Sequence, residues 1–183
     1  MVAGNLWPGT DPGRAQGCLR TSLWRMQDVV PGLVSTEYDL LALEAAVRVD
    51  VREDRMFQPG GGPYAPELLP GWYDDWVLQE RERFRQLSMR ALEQLASEWI
   101  ARGRLAEALE AALEAVRLEP LRESAHRVVI AAHLAEDNVG EALAHYTLLT
   151  RLLDADLGVR PSERTRAMLR ARIPADRWPL ILR

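Results

Sequence analysis

The chain has 183 residues, 48% of them hydrophobic, which is enough apolar material for one ordinary domain or two small ones. Its 23 basic and 27 acidic residues leave a net charge of -4, so any grip on nucleic acid or an anionic membrane must be local. All the basic residues are arginine; with no lysine, a Walker-type phosphate loop, a Schiff base and an amine general base are excluded. The single cysteine, Cys18, has no internal disulfide partner and no second cysteine for a CxxC zinc site, which fits a reducing compartment. The N-terminal MVAGNLWPGTDP lacks the basic start and apolar run of a secretion signal, and no stretch reaches the roughly 18 apolar residues of a membrane span. These features predict a cytoplasmic protein with no membrane partner.

Residues 5–57 are mixed in pattern. Within them, at 100° per residue, Ala15, Leu19, Leu23, Met26 and Val30 fall on one helix face, and Arg14, Gly17, Arg20, Thr21, Trp24 and Arg25 lie opposite. Gln58 to Gly71 holds four glycines and four prolines in 14 positions and reads as a linker. Its triple glycine has no following Lys-Ser/Thr and is not a phosphate loop.

From Asp74 onward helix patterning is almost unbroken. Phe84, Leu87, Ser88, Ala91, Leu92, Leu95, Ala96 and Trp99 form one stripe, while QERERFRQ reads as a solvated face. After Gly103 the residues Leu105, Ala108, Leu109, Ala112, Leu113 and Val116 build the next stripe, up to Pro120. Ser124 to Glu136 is apolar nearly all round, as expected of a helix flanked on both sides, and Val139, Ala142, Leu143, Tyr146, Leu149 and Leu153 form its partner. A short helix should follow Pro161, with Ser162 as N-cap, and run to about Arg172.

The two hairpins repeat. Ala101, Glu107, Ala108 and Leu109 recur as Ala135, Glu141, Ala142 and Leu143, always 34 residues on. A helix pair with that period is the tetratricopeptide unit, in which one hairpin cannot bury its apolar face alone and stacks on the next. Leu92, Leu95, Ala96, Trp99, Ala108 and Ala115 fill the apolar and small positions of the first unit. In the second, Ala142 and Tyr146 fit, whereas Ile130 and Asp154 depart from the pattern.

Chemistry-bearing clusters are sparse. His126, His133 and His145 are the only histidines, and the seven-residue spacing of the first two is looser than a chelating pair, so packed or surface roles are expected. No nucleophile elbow or protease signature accompanies Cys18 or any serine. No enzyme activity and no cofactor or metal is expected. Trp99 reads as core; Trp72, Tyr73 and Trp76, beside the linker, read as packing against the first hairpin or as interface anchors.

The stretches LLPGWYDDWVLQERERFRQL, EALEAALEAVRLEPLRESAHRVVIAAHLAEDNVGEALAHY and LLDADLGVRPSERT resemble the bacterial transcriptional activator domain, the tetratricopeptide-like half of SARP-type regulators. LWPGTDPGRAQGCLRTSLWRMQ resembles the end of the second helix, the turn and the recognition helix of the response-regulator-type winged helix that precedes it in such proteins. LVSTEYDLLALEAAVRVDV resembles the wing hairpin, while counterparts of the family's N-terminal sheet and first helix are missing. The resemblance implies a mainly α fold of stacked tetratricopeptide-like hairpins, with a partial winged-helix segment of one helix and a β-hairpin at the N-terminus. The domains would be 1–57 (partial winged helix), 58–71 (linker), 72–173 (activator domain) and 174–183 (tail).

It further implies a transcriptional activator whose helical domain dimerises or holds RNA polymerase subunits or another protein. Promoter DNA would be met by Arg14, Arg20, Thr21 and Arg25, since arginine reaches guanine edges or phosphates in the major groove. Trp24 stands where the family more often has a polar or basic residue. An amphipathic surface helix without DNA contact presents the same face, and a stand-alone scaffold that binds a protein or peptide partner is the alternative function.

Overall fold

The computed structural model of the chain describes residues 2–38, 40–47 and 68–173. The triple glycine, the linker as far as Glu67 and the tail from Pro174 lie outside the described residues. The chain divides into two compact units, Met1–Glu53 and Asp54–Arg183.

The first unit holds α1 (Val2–Leu6), α2 (Pro12–Val29), β1 (Val34–Glu37) and β2 (Leu40–Leu43). Asp11 starts α2: its carboxylate accepts the amides of Gly13 and Arg14 at 3.1 and 3.2 Å. Pro12 occupies a first-turn position, where its missing N–H has no helical acceptor to lose. The strands pair antiparallel, Val34 opposite Leu43 and Glu37 opposite Leu40. Ala3 and Ala15 are the buried residues described in this unit. Leu19 and Leu23 are half-buried, but Met26 and Val30, expected on the same inward stripe, are exposed by 37% and 47%, Met26 at the edge of an open hollow that it shares with the ribbon.

The second unit is a run of helices: α3 (Asp75–Ala101), α4 (Leu105–Leu118), α5 (Glu123–Ala135), α6 (Val139–Leu157) and α7 (Glu163–Arg170). Successive helices pack as α3 on α4, α4 on α5 and α5 on α6, and α5 also meets α3 and α7. The two hairpins therefore stack, and the molecule is mainly helical with a small β-ribbon near its N-terminus. Leu92, Ala96 and Trp99 of α3, the alanines 108, 111, 112 and 115 of α4, and Ala125 and Val129 of α5 form one core cluster. Ile130, Leu134, Ala142, Tyr146, Leu169 and Ile173 form a second. Ile130, bulky for its repeat position, fills this second cluster completely buried.

The 34-residue repeat is visible in the turns. Arg102, Gly103 and Arg104 donate to Glu98, Ile100 and Trp99 carbonyls; Glu136, Asp137 and Asn138 donate to Ala132, Leu134 and His133 carbonyls. Gly103 has φ +74° and Asp137 φ +58°, so both turns need a left-handed residue and only the first supplies glycine.

Two expectations for this unit are corrected. Leu87 and Leu113 are exposed by 51% and 46%. The buried arc of α4 centres instead on Ala111 and Ala112, because α4 lies between α3 and α5 and small side chains let both approach. Helix α7 ends at Arg170, short of Arg172. Ser162 is the N-cap residue of α7 as expected, although its hydroxyl makes no cap bond and donates instead to the Glu123 carboxylate, a stronger, charged acceptor brought close by packing.

Candidate functional site

Three surfaces carry recognisable chemistry. The first is the outer face of α2, where Arg14, Gly17, Cys18, Thr21 and Arg25 border a cleft of about 510 Å³ together with Trp7 and Ser22. Helical spacing brings Arg14, Thr21 and Arg25 to this side and leaves Arg20 outside the cleft lining. Arg14, Arg20 and Arg25 are exposed, and among the described residues none is held by an acidic partner. The Thr21 hydroxyl is engaged within the helix, donating to the Gly17 carbonyl at 3.0 Å. Trp24, on the same exposed side, is 70% accessible.

The second surface is aromatic and stands where the chain enters α3. Arg81 donates from Nε to the Leu68 carbonyl at 2.7 Å and from its guanidinium to the Leu69 carbonyl, fastening the incoming turn to the helix. Its guanidinium also lies 5.8 Å from the centre of the Tyr73 ring. Trp72 and Trp76 meet edge to face at 6.5 Å. The three aromatics thus form a local cap around the start of α3, with Tyr73 largely in solvent and Trp72 partly so.

The third surface is a groove of about 470 Å³ along α3, α5 and α7. Helix α3 lends Arg90, Glu93, Gln94, Ser97 and Ile100; α5 lends Ser124, Arg127, Val128 and Ala131; α7 lends Arg164 and Met168. Nothing in the sequence patterning marked these residues, which come from three helices spread over some 80 positions.

The helices around the groove are fastened by polar ties that side-chain periodicity does not reveal. Glu93 accepts from Arg122 at 2.7 and 3.2 Å and from the Ser124 hydroxyl at 2.6 Å, joining α3 to the start of α5 and keeping the Arg122 guanidinium firmly protonated. Glu123 accepts the Ser162 amide at 3.0 Å and the hydroxyls of Ser162 and Thr165, joining α5 to α7. Burial pulls the Glu123 carboxyl upward, but those hydrogen bonds and nearby Arg127 outweigh it and leave the group more acidic than usual. On the supposedly idle QERERFRQ face, Arg85 binds Glu82 at 2.8 Å and reaches across to Glu119 at 2.6 Å, beyond the end of α4. Hydrogen bonds from Arg85 and then Gln86 lower the Glu82 carboxyl to about 2.

Two of the three histidines pack against each other. His126 donates from Nε2 to the Pro120 carbonyl at 2.8 Å, so its Nδ1 accepts from His145 Nε2 at 3.0 Å. Burial lowers both, His145 to about 4 with help from the neighbouring imidazoles, and the pair is neutral near pH 7. Among the described residues no group of three His, Cys, Asp or Glu is placed to hold a metal ion, and no helix is long and apolar enough to cross a membrane.

Stacked helical hairpins bordering an open groove define a helical-repeat fold. The family model of the bacterial transcriptional activator domain matches residues 61–173, well over half of the chain, and the chain belongs to that family. It is a regulatory family, not an enzyme family. A search among curated proteins returned no match to the chain.

Proposed function

We propose that the protein is a SARP-type transcriptional regulator that acts by protein contacts of its helical repeat, residues 72–173, while residues 1–57 serve as a partial winged helix. The observation that carries this reading is the activator-domain match over 61–173. Recruitment is the mechanism: α2 approaches promoter DNA, and the repeat domain dimerises or holds RNA polymerase subunits in the cytoplasm. In that role Arg14, Arg20 and Arg25 contact phosphates or guanine edges, and Thr21 must release Gly17 to reach a base or the backbone. Trp72, Tyr73 and Trp76 are the proposed interface anchors.

One observation favours a second reading, a scaffold that never touches DNA. The unit bearing α2 buries only two alanines among its described residues, a weak base from which to hold a reading helix in register. A gel-shift titration on promoter fragments from the gene's own neighbourhood separates the two. With three arginines on phosphates, affinity should fall about 40-fold between roughly 50 and 200 mM salt, and Arg25→Ala should flatten the salt slope by about one. No shift on any fragment leaves the scaffold reading.

A further inference from the structure

We propose that the groove between α3, α5 and α7 is a docking site for an acidic peptide segment carrying apolar side chains, supplied by a partner protein. The inference rests on the protein-contact reading above and gives that contact a location and a chemistry.

The charges decide the sign of the ligand. Glu93 is neutralised by Arg122, and Glu123 is already occupied by Ser162 and Thr165. Arg127 stands 3.6 Å from Glu123, with most of its five N–H donors to spare. Arg90 and Arg164, both exposed, have no acidic partner among the described residues. With Arg127 offsetting Glu123, Arg90 and Arg164 leave uncompensated positive charge at this groove in a chain of net charge -4. Carboxylates are the natural counterpart of arginine forks.

The remaining lining decides the class of ligand. Ile100, Val128, Ala131 and Met168 are apolar and lie among the arginines. A peptide can put carboxylates on the arginines and aliphatic side chains against these residues at the same time. A DNA duplex has no aliphatic side chains to offer, so its phosphates would satisfy the arginines and leave the apolar lining wet.

The test uses the full chain and fluorescence anisotropy at low salt. The probe is a labelled peptide of Asp and Glu with Leu at every third or fourth position. Matched probes carry Lys for the acids or Ser for the leucines, and a random-sequence duplex is the nucleic-acid arm. The acidic Leu peptide should bind most tightly, with the Ser version weaker and the Lys version silent. Arg90→Glu with Arg164→Glu should weaken it about tenfold, mainly through association rate and with reduced salt dependence. Both positions are exposed, so circular dichroism should report an unchanged helical fold.

Equal binding of the Lys peptide, or acidic-peptide binding indifferent to the two reversals, overturns the proposal. So does duplex binding lost in these variants while the peptide fails to bind, or self-association abolished by them, which would assign the groove to DNA or to a second copy. A retained promoter shift with no peptide binding refutes the groove inference alone. Peptide binding without a promoter shift refutes only the DNA role of α2.

Discussion

The two units begin from the same raw material, amphipathic helix, and reach different ends. In Asp54–Arg183 every long helix meets at least one other across a stripe of buried residues, and α5, between α4 and α6, is buried on several sides at once. In Met1–Glu53, α2 turns its apolar side toward α1 and the ribbon, yet Leu19, Leu23, Met26, Val34, Leu41 and Leu43 line an open apolar hollow of about 260 Å³. The difference teaches that an apolar stripe specifies a helix but not a core. A second layer must arrive to exclude water, and in the repeat unit the next hairpin is that layer.

The contrast breaks most directly by truncation. Leu92→Ala, at a fully buried position, should cost about 3 kcal/mol. Leu23→Ala, half-buried beside the hollow, should cost about 1 kcal/mol or less. Urea unfolding followed by far-UV circular dichroism measures both, and equal losses would mean the first unit has a core after all.

Acid sharpens the contrast further. His126 and His145 have folded pKa values below the unfolded value near 6.5, so the unfolded chain binds protons more readily. Their contribution is therefore complete above pH 6.5 and declines as pH falls toward about 4. For His145, discounted for partial solvent screening, the loss is about 2 kcal/mol. The first unit contains no histidine and should keep its stability between pH 6.5 and 5. His145→Gln should remove most of the repeat unit's loss; an unchanged slope would assign the acid sensitivity to other groups.

The smallest effect compares the two repeats with each other. Asp137→Gly should stabilise by about 1 kcal/mol by relieving the left-handed backbone, and Gly103→Ala should destabilise by a similar amount. The exposed Asp137–Arg172 pair, lost in the first variant, should contribute little. Thermal unfolding reads both, and a shared sign would mean the turns are not equivalent.

Much of the fold was legible because repetition is a strong signal. The offset that matches Ala101 to Ala135 also matches the αL turn at Gly103 to that at Asp137, although the residue types differ. Leu87 and Leu113 misled because periodicity marks a stripe's direction but not its edges, and the edges depend on which neighbour comes closer. The groove was not legible: Arg90, Arg127 and Arg164 share no local pattern, and the ordinary charge-rich face of a helix looks the same whether it meets water or a partner.

By itself the sequence determined which segments are helices, where the hairpins turn, and which chemistries are absent for want of lysine and of a second cysteine, since these follow from local propensity and composition. Tertiary packing alone decided that Glu93, Glu123 and Arg85 fasten neighbouring helices, that His126 and His145 share a hydrogen bond, and that arginines from three helices border one groove. Those pairings join residues about 20 to 40 positions apart, and only the stacking angle of the hairpins brings such side chains within a few ångströms.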